Sequence, residues 1–363
     1  MPDETELSIE APALLSLAQA CFEGLGVRSE DARAVADVLI DANLHGVPSH
    51  GFQRVPIYMR RVRAGLSGGT ERLSVCVESG ALCRMDAAHA LGPAAAVKAL
   101  DHALQIAARS GIGLVAIGRS THFGAAGYYA RRAAAADFVS IVLTNATKRM
   151  APHLSAEAFI GTNALAIGIP LGDHDPFVLD MATSTGAQGK ITRAKQLNQQ
   201  IPPGLAIDVE GRPTTDPVLA LAGSLLPVGG PKGSGLALGI GLLAVLLAHA
   251  DSDDEMASLY NSFDRPQNTG HVFLLMDPAR LGDAGEGPER MIDRLLALTP
   301  VTGSPAVQYP GQGSARLARA RRKDGVPIKR GELTSVADLC GEYGLDDPRE
   351  RALAMLHGAH PTE

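Results

Sequence analysis

A mixed α/β chain (α+β in character) with a separate helical unit is the fold class the sequence predicts, on three observations. Apolar residues recur at helical spacing from Ala11 to about Ala64. From about Glu71 onward, short apolar runs alternate with helical segments, as strands interleaved with helices do. No internal repeat and no long linker separates independent modules. The expected division is a helical unit over 1–70, an α/β domain over 71–298, and a segment over 299–363 that packs back on the helical unit.

In order, Ala11 to Glu23 reads as an amphipathic helix stopped by Gly24 and Gly26. Ser29 is placed as the cap of a second helix, with Glu30 and Asp31 where carboxylates suit the positive end of the dipole. Its buried stripe is Ala32, Val35, Ala36, Leu39 and Ala42, and Gly46 ends it. A third helix runs from Pro56 to Ala64, with Arg60, Arg61 and Arg63 expected to face water. Leu82 to Asp86 is a strand, and Pro93 to Arg109 is a helix with proline at its first position. Strand Ile112 to Ile117, helix Ala125 to Ala136 and strand Val139 to Thr144 follow. Asn163 to Ile169 and Phe177 to Asp180 read as strands, and Thr183 to Leu197 as a helix. Gly235 to Ala250 is a helix, His271 to Met276 a strand and Glu289 to Leu298 a helix.

The net charge of -6 makes nucleic acid and anionic membrane poor partners. The basic run Arg316 to Arg322 reads as a solvated helix face. Cys21, Cys76, Cys83 and Cys340 are scattered without metal-type spacing and are expected to be reduced, buried thiols. The acidic Met1 to Glu6 lacks the order of a signal peptide, and Gly235 to Ala250 is short for a membrane span. A cytoplasmic location is therefore expected.

The densest chemistry is His45-Gly46-Val47-Pro48-Ser49-His50-Gly51-Phe52-Gln53-Arg54, with Tyr58 four residues on. Two glycines and a proline make a loop able to present Ser49 and His50 to a cleft. His50 suits proton transfer, because an imidazole titrates near neutral pH. Ser49 can bond a substrate oxygen, and Asp180 is a carboxylate able to fix the imidazole tautomer. Arg54 can grip a carboxylate with its planar fork, and Tyr58 shares its side of the helix. His122 lies between a strand and a helix start, where α/β sheets place ligands. A serine hydrolase is disfavoured, since no Gly-x-Ser-x-Gly elbow occurs and Ser49 adjoins His50 in the chain. Gly229-Gly230-Pro231-Lys232-Gly233-Ser234-Gly235 opens a helix and can receive a phosphate, though it is not a Walker sequence. Gly239-x-Gly241-x-x-Ala244 fits the loose dinucleotide pattern but lies inside a helix. No metal is expected, because His45 and His50 lack an adjacent carboxylate and His-Glu-x-x-His is missing.

Several runs resemble the malate/L-lactate dehydrogenase family, which lacks a Rossmann fold. They are Ser49-His50-Gly51 with Arg54 and Tyr58, then Thr121-His122-Phe123-Gly124-Ala125-Ala126-Gly127-Tyr128-Tyr129-Ala130. Thr144-Asn145, Gly161-Thr162-Asn163, Asp180-Met181-Ala182-Thr183-Ser184 and Gly189-Lys190 continue the likeness. Pro213-Thr214-Thr215-Asp216-Pro217, Leu226-Pro227, Gly229-Gly230, Lys232-Gly233 and Tyr309-Pro310-Gly311 complete it in order along almost the whole chain. The resemblance implies an unusual non-Rossmann NAD(P)-binding domain plus a helical unit built from both termini, and a homodimer. It implies hydride transfer between NAD or NADP and a small 2-hydroxy acid or 2-oxo acid, the substrate being a small carboxylate. Carried over, it makes His50 the acid/base with Ser49 and Asp180 in support, and puts Arg54, Tyr58 and His122 at the substrate. Either His50 or His122 can be the imidazole that moves the proton. Cofactor contacts fall on His122, Thr144, Val178, Leu179, Asp180, Met181, Ala182, Lys232, Gly233, Pro310, Gly311 and Gln312. The family also holds NADPH-dependent reductases of cyclic ketimines, which are the alternative; a non-catalytic dinucleotide-binding protein is the remote one. The chain departs from the family at His153 to Ile160, where a glycine pair is usual, and at Gln312, where glutamate is.

Overall fold

The computed structural model describes residues 5–282 and 285–358; the acidic start, residues 1–4, lies outside them. Strand β1 (Glu6–Ile9) leads into helices α1 (Ala11–Gly24), α2 (Ser29–Leu44) and α3 (Val55–Arg63), with short 3-10 turns Pro48–His50 and Phe52–Arg54 before α3. Then come β2 (Ser74–Ser79), β3 (Leu82–Asp86), α4 (Gly92–Ser110), β4 (Ile112–Ser120), α5 (Ala126–Ala135), β5 (Val139–Thr144), β6 (Ala164–Ile169) and β7 (Phe177–Met181). Helix α6 (Gln188–Gln196), strands β8 (Ala206–Ile207) and β9 (Pro213–Thr214), α7 (Pro217–Ala222), β10 (Ser224–Leu225) and α8 (Pro231–Ala248) follow. The remainder is β11 (Thr269–Met276), α9 (Gly287–Leu296), α10 (Gln312–Asp324), β12 (Val326–Lys329), α11 (Arg330–Tyr343) and α12 (Asp346–Gly358).

The large sheet has the order β2-β3-β4-β11-β5-β6-β7, and its β3–β4 pair alone is parallel. A dinucleotide sheet of the Rossmann kind is mostly parallel; this one is mostly antiparallel. Alanine-rich α4 and α5 cover one face, where Ala95, Ala99, Ala103, Tyr129 and Ala133 pack on Val115, Val142 and Phe273. Helix α8 lies on the other face, with Ala248 against Ala116 and Val272. A second core joins the two ends of the chain: Leu14, Leu17, Leu39 and Phe52 pack with Val326, Leu333, Val336 and Leu356, while β1 pairs with β12.

Several expectations need correction. Ser29 is the first helical residue rather than the cap, and its hydroxyl donates to Glu23 at 2.6 Å. Arg61 does not face water: it is 1% exposed and donates to the carbonyls of Leu259 and Ser262 at 3.2 and 2.9 Å. A buried guanidinium without a carboxylate is tolerable when carbonyl dipoles surround it. Cys76 is exposed, because β2 is an edge strand. The 183–187 stretch is irregular, bonded to Thr162 and Leu226, and helix begins only at Gln188. Helix α8 starts at Pro231, so Lys232 sits in its first turn. The small β8–β10 sheet and the β1–β12 pair, whose strands have two to four residues each, are too short for periodicity to reveal.

Candidate active site

Helix α2 ends at Leu44, and the 3-10 turns that follow bring Ser49 and His50 inward. Gly51 is required there: a Cβ at this position would stand 2.0 Å from Asn43 Oδ1, which accepts the Phe52 N–H. Ser49 Oγ lies 3.0 Å from His50 Nδ1. Arg54 closes the second turn and its Nε donates to the Ser49 carbonyl. One turn into α3, Tyr58 is buried, and its hydroxyl reaches His122 Nδ1 at 2.6 Å and the His122 carbonyl at 3.0 Å.

His122 arrives from the far side, on the loop between β4 and α5. Gly92, at the start of α4, lets this loop descend, since a Cβ there would meet the carbonyls of Thr121 and His122 at 2.3 and 2.4 Å. The His50 and His122 rings stack with centroids 5.3 Å apart. Five side chains from two distant stretches therefore share one pocket: Ser49, His50, Arg54, Tyr58 and His122.

Burial first, then the Arg54 charge, pulls His50 down to about 4. Burial, His50 and Arg54 hold His122 well below its ordinary value. Each ring keeps an edge open to solvent while chain surrounds the rest. Both imidazoles are thus neutral at pH 7. Arg54 meets no carboxylate among the described residues; its guanidinium stacks 5.4 Å from the Tyr260 ring centre.

Asp180 does not join this cluster. Its carboxylate accepts from Gly127 N at 2.9 Å, capping the first turn of α5, with Arg131 and Asp41 nearby. Burial raises its pKa even though part of its surface stays exposed. The hydroxyl of Ser49, not Asp180, holds His50 Nδ1. Arg131 instead bridges to Asp41, which also meets His45 at 3.1 Å.

The residues expected at a cofactor form a band around β7. Val178 N donates to the Pro310 carbonyl at 3.0 Å, and Gly311, at φ 101°, packs where a Cβ would stand 2.7 Å from Pro176 O. Past Ala182, Thr183 O accepts from Val228 N at 2.9 Å, which ties the end of β7 to the loop that leads into α8 with Lys232 and Gly233. A Cβ at Gly189 on α6 would stand 3.9 Å from Ser49 Cβ, so this helix borders the pocket. Thr144 stands apart: its hydroxyl bonds His271 Nδ1 at 2.8 Å. Two buried polar atoms along the band, Thr183 Oγ1 and Gln312 Oε1, have no hydrogen-bond partner among the described residues. With the amides of α8 and the cationic Lys232, such atoms fit a polar, phosphate-bearing dinucleotide. The divergent Pro152 to Ser155 stretch lines a 420 Å³ cavity with Gly229 and Gly230, next to that first turn.

Sequence reasoning missed His271. Its ring stacks on Phe123 at 4.3 Å, bonds Ser120 through Nε2 at 2.9 Å, and burial lowers its pKa to about 3. It braces the His122 loop from within the sheet; a histidine opening an apolar strand was the available signal. The motif residues Asn145 and Asn163 likewise serve the fold, both donating to Asp253.

A sequence profile of the malate/L-lactate dehydrogenase family matches residues 9–337. The (2R)-3-sulfolactate dehydrogenase (NADP(+)) of Chromohalobacter salexigens is 38% identical over 84% of this chain and 90% of its own length. The ureidoglycolate dehydrogenase (NAD(+)) of Escherichia coli K12 is 33% identical over 84% of this chain and 87% of its own. The solved delta1-piperideine-2-carboxylate reductase of Pseudomonas syringae superposes with a TM-score of 0.82 at 27% identity, covering 92% of this chain and 99% of the other. The chain belongs to the malate/L-lactate dehydrogenase family, NAD(P)-dependent oxidoreductases that act on a hydroxyl group.

Proposed function

We propose that the protein interconverts a small 2-hydroxy acid and its 2-oxo acid in the pocket of Ser49, His50, Arg54, Tyr58 and His122. The observation that carries this reading is a pair of neutral, stacked imidazoles beside a guanidinium that meets no carboxylate among the described residues and lies over the Tyr260 ring. Arg54 grips the substrate carboxylate with its terminal nitrogens and so fixes which face of C2 is presented.

The hydrogen bonds assign the tautomers. His122 Nδ1 faces the Gly124 N–H at 3.3 Å and the Tyr58 hydroxyl, so it accepts there and carries its proton on Nε2. It therefore donates to a substrate oxygen. His50 Nδ1 faces a serine hydroxyl, which accepts as readily as it donates, leaving Nε2 free to act as base. In oxidation His50 takes the C2 hydroxyl proton, and in reduction it returns it. When bound, the nicotinamide supplies the hydride acceptor or donor. Val178 to Ala182, Lys232, Gly233 and Pro310 to Gln312 are the residues that would hold the dinucleotide, with His122 at the substrate end of the site; Thr144 supports the site through His271. Asp180 serves there through the α5 cap rather than through His50.

The exposed leucines of α8 support a homodimer. This helix is apolar enough to cross a membrane by length and composition, at mean hydropathy 1.6, yet its inner face packs on the sheet. Leu238, Leu242 and Leu246 remain outward, and a second copy of the chain in the cytoplasm covers them. Light scattering reports a dimer, and a monomeric wild type removes this part of the proposal.

The enzymatic reading is tested by nicotinamide absorbance with NAD and NADP, in both directions. The panel is L-malate, L-lactate, sulfolactate, ureidoglycolate, their oxo forms and piperideine-2-carboxylate. Turnover of an open-chain acid that vanishes in His50→Ala is the expected result. Turnover of the imine alone moves the protein to the ketimine reductases, the reading favoured by its likeness to the P. syringae enzyme. Cofactor binding without turnover of any panel member leaves the fold standing and the substrate open.

A further inference from the structure

On the outer edge of the large sheet, three donor side chains meet that the sequence separates. Glu78 on β2 and Cys83 on β3 face one another in the antiparallel register, so their side chains share a face. Helix α4 crosses that face and brings down His102. The carboxylate, the sulfur and the imidazole nitrogen all lie within 4.8 Å of one another. His102 Nε2 stands 2.8 Å from one Glu78 oxygen, and Arg109 donates to the other at 3.1 Å. A bulge between Val75 and Val77 places an additional residue, Cys76, in the same hairpin.

An ion pair accounts for Glu78 with His102 and Arg109. It does not account for a buried thiol beside that carboxylate. Cys83 is buried, and its sulfur lies within reach of both the carboxylate and the imidazole. A divalent metal would be held by all three donors together, and the Cys83 proton leaves to solvent as the metal–sulfur bond forms.

We propose that Cys83, His102 and Glu78 form a zinc-type metal site outside the active site, pinning the β2–β3 hairpin to α4. With Zn–N and Zn–S bonds of about 2.0 and 2.3 Å, tetrahedral ligand atoms stand roughly 3.3–3.8 Å apart. Side-chain rotation of about an ångström closes the set, and water takes the fourth position. A thiolate and an imidazole select Zn²⁺ over Mg²⁺ or Ca²⁺. Sequence spacing disclosed none of this, because the donors converge only through strand register and helix packing.

The test uses the full-length protein, stripped with a chelator and titrated with Co²⁺ alone, then with competing Zn²⁺. One equivalent of Co²⁺ is expected to give a sulfur-to-metal charge-transfer band that Zn²⁺ abolishes. Cys83→Ser should remove the band, and His102→Gln should weaken Co²⁺ binding by at least about tenfold. His102 lies on a helix surface, so this variant is expected to keep the wild-type Tm without metal, which separates lost ligation from lost fold. Wild-type protein without the band overturns the proposal. So does a band that survives Cys83→Ser, or an affinity untouched in a folded His102→Gln.

Discussion

Acidification is the sharpest perturbation of the proposed base. His50 is drawn from an ordinary 6.5 to about 4 by burial and by Arg54. At pH 5 an imidazole with a pKa of about 4 is about 90% neutral, whereas one of about 6.5 is only about 3% neutral. The kcat/KM for oxidation should therefore hold near its plateau down to about pH 5 and fall with a midpoint close to 4. The same shift enters stability. Because the folded pKa is depressed, the unfolded chain binds the proton first. The contribution is fully present above about pH 6.5 and is lost as pH falls toward 4. The full loss is about 3 kcal/mol at 1.36 kcal/mol per unit, and about 2 kcal/mol once the open edge of the ring is discounted. Urea unfolding of wild type and His50→Gln at about pH 7, 5.5 and 4.5 isolates this contribution, since the glutamine cannot titrate. A midpoint for kcat/KM near 6.5, or stability curves that run parallel in the two proteins, refutes the reasoning.

Arg54→Lys replaces a planar fork by a point charge. KM for the acid should rise, with kcat/KM down by about 10- to 100-fold, and an unchanged KM in steady-state kinetics would remove Arg54 from the carboxylate site. Tyr58→Phe deletes a buried donor to His122 and should cost about 1–3 kcal/mol in kcat/KM, with cofactor affinity, followed by fluorescence titration, nearly unchanged. Gly92→Ala drives a methyl into the carbonyls of Thr121 and His122. It should displace the His122 loop and lower kcat more than Tm, whereas wild-type turnover would show that the loop tolerates the shift. His271→Ala removes one hydrogen bond each from Thr144 and Ser120 and opens a cavity behind Phe123. About 2–4 kcal/mol of stability should go, read by urea unfolding.

Much of this protein was determined locally. Periodicity and turn residues are short-range properties, so most helices before residue 299, the strands of the large sheet except the exposed edge strand β2, and the Ser49-His50 turn were legible in the sequence, whereas β2 and the bounds of α10 to α12 were not. So was the chemistry of the pocket, because His50, Arg54 and Tyr58 lie within one turn and one helix. Partners of these groups were not legible. Asp180 was expected to hold the imidazole, but tertiary packing sends it to Gly127 and leaves the Ser49 hydroxyl in that place. Arg61 looked solvated on a basic helix face, yet carbonyls from 197 or more residues away enclose it. The stacking of His122 on His50, the brace of His271 and the meeting of Glu78, Cys83 and His102 have the same origin. Each depends on strand register and on which helix crosses which face. These are decided by burial of the whole apolar surface rather than by neighbours in the chain.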